Sequence, residues 1–313
     1  MPFHNLSLSL AALTAGVSIA ACSAPPAAAE LAPPPAPPAA HPPAAMTIAA
    51  VASGSTQSSA AMAYEGGRSD DRRTFVAGAI LVDHPKGRLL FDAGYGRDLV
   101  QHFKTAPKIM QMSVKPQLDR PVAEQLAAGG VPLSSLKAVV LTHAHWDHVS
   151  GLGDMPDTPV WVSREELDFV RGGDDAAKLA RDLGTRNYRT FDFPDGPYLG
   201  FAKSWDVFDD GSVVLVLAPG HTPGSIVAFV NTPDGRRYAL IGDTAWQAEG
   251  VDLPAQKPML TRFVDQDAPA TLAMLQRLHA AKRTVPGLIV VPAHDARVWK
   301  ALPVFAVAPN PTR

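Results

Sequence analysis

The chain has 313 residues, with Lys+Arg 28 against Asp+Glu 30 and a net charge of -2, which leaves no basic excess to track a phosphate backbone and excludes a dedicated nucleic-acid binder. A hydrophobic fraction of 46% beside 19% charged residues describes a globular chain. One cysteine allows no intramolecular disulfide and no Cys-rich zinc site, so any metal must be held by His and carboxylate.

Residues 1–22 carry no Lys, Arg, Asp or Glu, and 6–21 are mostly Leu, Ala, Val, Ile, Ser and Thr. That run is short for a bilayer span and reads as the apolar part of an export signal. Ile19-Ala20-Ala21-Cys22 resembles a bacterial lipoprotein signal, which gives the lone cysteine a use as a lipid anchor. The expected location is therefore the periplasm, with the membrane reached only through Cys22. Residues 23–45 are dominated by Pro and Ala. Proline fixes φ and removes a donor, so this stretch reads as an extended tether. The folded domain is expected at 46–313.

Within it, short apolar runs predict strands at 74–82, 88–92, 137–142, 159–162, 212–218, 226–231, 238–242 and 288–292. His84-Pro85-Lys86-Gly87 marks a hairpin turn between the first two. Helices are predicted after Pro121, after Ser163 with Glu166 as a capping box, and from Asp267 with Leu272, Leu275 and Leu278 along one side. Hairpins mixed with strand–loop–helix units predict a layered α/β fold.

The informative segment follows the apolar run 138–141: His143-Ala144-His145-Trp146-Asp147-His148. Alternate residues of extended chain point the same way, so His143 and His145 can grip one metal, while Asp147 and His148 can be turned toward a second. Imidazole and carboxylate suit zinc, with iron, manganese or cobalt as substitutes. His221, Asp243 and His294 each follow an apolar strand at a small-residue loop, where sites are built.

These residues resemble the metallo-β-lactamase superfamily: His-x-His-x-Asp-His, then His, Asp and His, with Phe91-Asp92-Ala93-Gly94 and Pro219-Gly220-His221-Thr222-Pro223-Gly224 filling two further motifs. The resemblance implies a four-layer αβ/βα sandwich with two mixed sheets. It implies that His143, His145 and His221 hold one Zn2+, that Asp147, His148 and His294 hold a second, and that Asp243 bridges them. A bridging hydroxide then attacks the substrate, Asp147 shuttles the proton to the leaving group, and Asp92 orients a ligand histidine. β-Lactam hydrolysis is disfavoured, because β-lactamases of the superfamily lack the bridging aspartate.

The segment 80–94, the loop at His221 and Pro292-Ala293-His294-Asp295 look most like the quorum-quenching lactonase group. The expected reaction is opening of a small lactone or ester, N-acyl-homoserine-lactone-like, and the resemblance allows a homodimer. One position departs: many such lactonases have Tyr three residues after the bridging Asp, and here it is Trp246. An indole N–H donates but is no acid of the same kind, which keeps organophosphate, aryl-ester and glyoxalase II-like thioester hydrolysis open. Trp146 and Trp246 are expected to wall the pocket, with Phe103, Met110 and Met112 as rim candidates. An inactive binding lipoprotein would be favoured by broken ligand positions, and all seven are filled.

Overall fold

The computed structural model describes residues 30–185 and 187–306. Cys22 and the signal-like segment lie outside them. One compact unit runs from Leu31. Residues 31–43 form neither helix nor strand, and they lie along the domain surface. The prolines lack donors but keep carbonyls, and these are used. Thr284 Oγ1 donates to Pro34 O at 2.7 Å, Arg283 donates to Leu31 O, and the backbone N–H of His41 donates to Asp210 O at 2.7 Å.

Among the described residues twelve strands follow: β1 (Thr47–Ser59), β2 (Arg72–His84), β3 (Gly87–Phe91), β4 (Gln117–Leu118), β5 (Leu136–Val140), β6 (Val160–Ser163), β7 (Tyr188–Phe191), β8 (Trp205–Asp206), β9 (Val213–Leu217), β10 (Ile226–Asn231), β11 (Arg237–Leu240) and β12 (Leu288–Val291). They form two mixed sheets, ordered β4-β1-β2-β3-β5-β6-β7 and β12-β11-β10-β9-β8. Alternation sorts side chains between layers. In β9, Val213 and Leu215 enter the core between the sheets, with Ile80, Val82 and Val140 from the first sheet. Val214 and Val216 face the other way, onto Met274, Leu275 and Leu278 of the helix Ala268–Thr284. On the outer face of the first sheet, Leu81 and Val139 pack with Leu126 and Leu167 of the helices Val122–Ala128 and Arg164–Arg171. The result is the four-layer sandwich.

Strand direction puts the site on one edge. β3 and β5 are parallel. β9 and β11 are each antiparallel to β10, so they run the same way, and β12 is parallel to β11. The loops leaving β3, β5, β9, β11 and β12 carry Asp92, His143 to His148, His221, Asp243 and His294. Hydrogen bonds fix this edge: Ile226 N at the start of β10 reaches across the two sheets to Thr142 O at 2.9 Å, and within the second sheet Ala293 N reaches Gly242 O at 3.1 Å.

Candidate metal centre

Asp92 sits just past β3 with φ 61°, a left-handed conformation that aspartate tolerates better than most residues. Its carboxylate accepts from Thr142 N at 2.7 Å, from Thr142 Oγ1 at 2.9 Å and from His148 Nδ1 at 2.8 Å. It therefore both fixes the loop after β5 and orients His148. The same orienting logic recurs. His221 Nδ1 donates to Asp265 Oδ1 at 2.7 Å, His294 Nδ1 donates to Val76 O at 2.8 Å, and His143 Nδ1 donates to Thr142 Oγ1 at 3.1 Å. Each partner can only accept there, because the Thr142 hydroxyl hydrogen is already given to Asp92. Every one of these imidazoles is left with a bare Nε2, and all turn to one centre.

The bare nitrogens meet each other. His143 Nε2 and His221 Nε2 are 3.1 Å apart. Two lone pairs at that distance repel unless a cation joins them, and ligands about 2 Å from a shared zinc lie roughly 3.3 Å apart. Buried His145 Nε2, His148 Nε2 and Asp243 Oδ1 have no hydrogen-bond partner. His294 Nε2 faces Asp243 Oδ1 at 3.1 Å and Asp147 Oδ2 at 3.4 Å. Ligand atoms gather within 4.8 Å of one another in three groups: His143, His145 and His221; His143, His148 and Asp243; Asp147, His148 and His294. The nitrogen and oxygen donors, their shared aim and the orphaned atoms fit divalent cations.

Electrostatics agree with that fit. Burial, helped by the neighbouring His148 and His221, holds His143 well below the usual imidazole range, and His145 is lowered in the same way. For His148, burial is outweighed by the Asp92, Asp243 and Asp147 carboxylates, which raise it. The centre thus combines the lowered imidazoles of His143 and His145 with carboxylates that draw positive charge toward His148 and His294.

The centre forms the floor of a cavity of about 270 Å3. Phe75, Met110, Trp146, Trp246, Leu260 and Phe263 are among its walls, so most of the lining is apolar. Trp146 also packs on Tyr95, ring centroids 5.5 Å apart, and on Phe103 at 5.0 Å. Of the rim candidates, Met110 lines the cavity, Phe103 backs Trp146, and Met112 is 88% exposed. Trp246 departs from a substrate-facing donor: its Nε1–H is spent on Asp243 Oδ2 at 2.7 Å. Trp246→Phe keeps the ring and deletes that bond. We expect it to lower kcat roughly 10- to 100-fold with little change in KM, as loss of an orienting partner does; steady-state kinetics check this.

Three supporting residues carry no sequence motif that reveals them. Glu166, read as half of a capping box, is buried, and its carboxylate reaches the site. Oε1 accepts from Ala144 N at 2.6 Å, while Oε2 accepts from Thr222 Oγ1 at 2.6 Å and Gly224 N at 3.1 Å. It ties the loop of His143 to the loop of His221. A side chain at Gly224 would place Cβ 2.0 Å from Glu166 N, which is why that position is glycine. The other two are Asp265 and Lys257, whose ammonium donates to Asp265 Oδ1 and to Asp243 O, each at 2.7 Å.

Behind His294 lies an ion network. Gln247 Nε2 donates to His294 O at 2.9 Å, and Asp295 pairs with Arg297 at 2.7 Å. Arg297 and Arg73 grip Glu249 at 2.6 and 3.0 Å. Burial opposes the Glu249 charge, but Arg297 and then Arg73 outweigh it and hold the carboxyl down at about 2. The folded pKa lies below the unfolded one of 4.5. This contribution is therefore present above pH 4.5 and lost as pH falls toward 2. Glu249→Gln should remove about 1 kcal/mol at pH 6, after screening of a half-exposed group, and almost nothing near pH 2. Denaturation at both pH values checks it.

A family model described as the metallo-beta-lactamase superfamily matches residues 74–294. This chain belongs to the metallo-beta-lactamase superfamily. Among curated relatives, an N-acyl homoserine lactonase AttM of Azorhizobium caulinodans is 28% identical over 240 residues, covering 74% of this chain and 84% of that protein. A probable metallo-hydrolase of Mycobacterium tuberculosis is 28% identical over 247 residues, covering 71% and 75%. Among solved structures, an N-acyl homoserine lactone hydrolase with N-hexanoyl-L-homoserine at its catalytic metal centre superposes with a TM-score of 0.67 at 18% identity, over 82% of this chain and 96% of that one. The dizinc lactonase AidC gives a TM-score of 0.55 at 15% identity, over 85% and 92%.

Proposed function

We propose that this chain is a dinuclear metal-dependent hydrolase that opens lactones or esters of the N-acyl-homoserine-lactone kind. The observation that carries the reading is the convergence of bare imidazole nitrogens and two carboxylates on the floor of an apolar-walled cavity. His143, His145 and His221 would hold one cation and Asp147, His148 and His294 the other, with Asp243 shared. Divalent cations held there would supply Lewis-acid polarisation of a carbonyl and ionisation of water near neutral pH.

The chain's own residues do the rest. The apolar walls take the acyl part and exclude bulk water. Asp147 Oδ2, at the cavity floor, is placed to carry a proton to the leaving oxygen. Trp246 keeps Asp243 in one orientation. Since the indole hydrogen is spent, Tyr95 is the phenol that faces the cavity, its hydroxyl 3.4 Å from Thr56 Oγ1. Burial raises its pKa, so it stays protonated and can donate to a substrate oxygen.

Residues 1–22 support export, and Cys22 supports lipid attachment on the periplasmic side of a bacterial membrane. Among the described residues no helix is long and apolar enough to cross a membrane.

A panel of N-hexanoyl-homoserine lactone, an aryl ester, a phosphotriester and a glutathione thioester, run on zinc-loaded protein, tests the reading. Highest kcat/KM on the lactone or the aryl ester is expected. Turnover confined to the phosphotriester or the thioester would replace the substrate class, and no turnover of any would overturn it.

A further inference from the structure

Lys257 lies outside every motif of the centre, yet it is 2% exposed. A buried ammonium is costly to desolvate, and well-packed apolar replacements commonly match or exceed such groups in stability. Its contacts point to the site. One hydrogen goes to the backbone oxygen of Asp243 at 2.7 Å and another to Asp265 Oδ1 at 2.7 Å. That same Oδ1 accepts from His221 Nδ1 at 2.7 Å, while Asp265 Oδ2 has no partner. The ammonium also stands 5.4 Å from the centroid of the Trp246 ring, whose N–H holds Asp243 Oδ2. A single cation therefore touches the backbone of one candidate ligand, the carboxylate that orients another, and the indole that orients the first.

Resting on the dinuclear reading above, we propose that Lys257 is a positioning residue that locks His221 and Asp243 into one mutual geometry. Its charge balances Asp265, the carboxylate that orients His221. Its bond to Asp243 O fixes where the backbone after β11 delivers the shared carboxylate. Without the ammonium, Asp265 is an uncompensated buried anion and the two ligands are no longer tied together.

Cobalt titration of metal-free protein tests this, with absorbance of the bound ion and chelator competition as readouts. Wild type is expected to bind two equivalents. Lys257→Met, which keeps an unbranched chain one atom shorter and removes the charge, is expected to weaken one of the two equivalents by roughly 10- to 100-fold and to change the cobalt absorption band. Its kcat should fall by a similar factor, with KM nearly unchanged. If Lys257→Met does not fold, the same comparison is made on Lys257→Gln, for which the same loss is expected. A folded variant with wild-type cobalt affinity and spectrum overturns the role of Lys257 alone. Wild-type protein that takes up no cobalt overturns the dinuclear centre and this inference together.

Discussion

Replacing His145 with alanine is expected to lower kcat/KM by on the order of 10^3-fold without weakening the metal-free fold. The Nε2 of His145 is buried with no hydrogen-bond partner. Its ring instead packs edge-on against His143 and His221, centroids 4.6 and 4.5 Å away. An orphaned buried polar atom costs stability, so deleting it removes a penalty rather than a support. Metal-free His145→Ala should therefore unfold at the same denaturant concentration as metal-free wild type, or a higher one. With metal present the order should reverse, because the wild type gains binding energy that the variant has lost. A purely structural histidine would show neither pattern: activity would survive, or stability would fall in both states.

Glu166→Ala is expected to act the opposite way, on stability first. It removes the acceptor for the backbone hydrogens of Ala144 and Gly224, both inside the ligand loops. Thr222 Oγ1 keeps Ser225 Oγ at 2.7 Å, so two donors are orphaned. Each buried orphan costs about 1–3 kcal/mol, which gives a loss of about 3 kcal/mol by denaturant unfolding. Glu166→Gln should lose less, since one carbonyl oxygen still accepts. Activity should fall with stability in the alanine variant, because the loops of His143 and His221 are no longer tied. A loss under about 0.5 kcal/mol, the usual effect of a surface change, would contradict this role.

The strands that carry the ligands were legible because they are continuous apolar runs, buried on both faces, as in Val213 to Leu217. The histidine segment was legible because its ligands are crowded into a few positions. β1 was missed. Its sequence is Ala- and Ser-rich and lacks the β-branched density that marks a strand, so its thirteen residues are held by pairing along β2 rather than by propensity. Short strands such as β8 owe their existence to a neighbour's edge in the same way. Glu166, Lys257 and Asp265 were invisible as site residues for a different reason. Each acts through a contact made only when distant loops converge, and a lone Lys or Glu in sequence reads as solvated surface. Trp246 lines the cavity, and only the coordinates show that Asp243 takes its indole hydrogen. The Pro/Ala stretch was read from its missing donors. Its carbonyls, which bind Thr284 and Arg283, decide where it lies from Leu31 onward.

On the proposed function, the side chains of His143, His145, Asp147, His148, His221, Asp243 and His294 would together hold two divalent cations. Metal content per folded chain, measured by elemental analysis alongside lactone and ester turnover before and after chelation, tests it most directly. Two equivalents of transition metal, with turnover lost on chelation and restored by zinc, is the predicted result. Full turnover by protein holding less than one equivalent would contradict it.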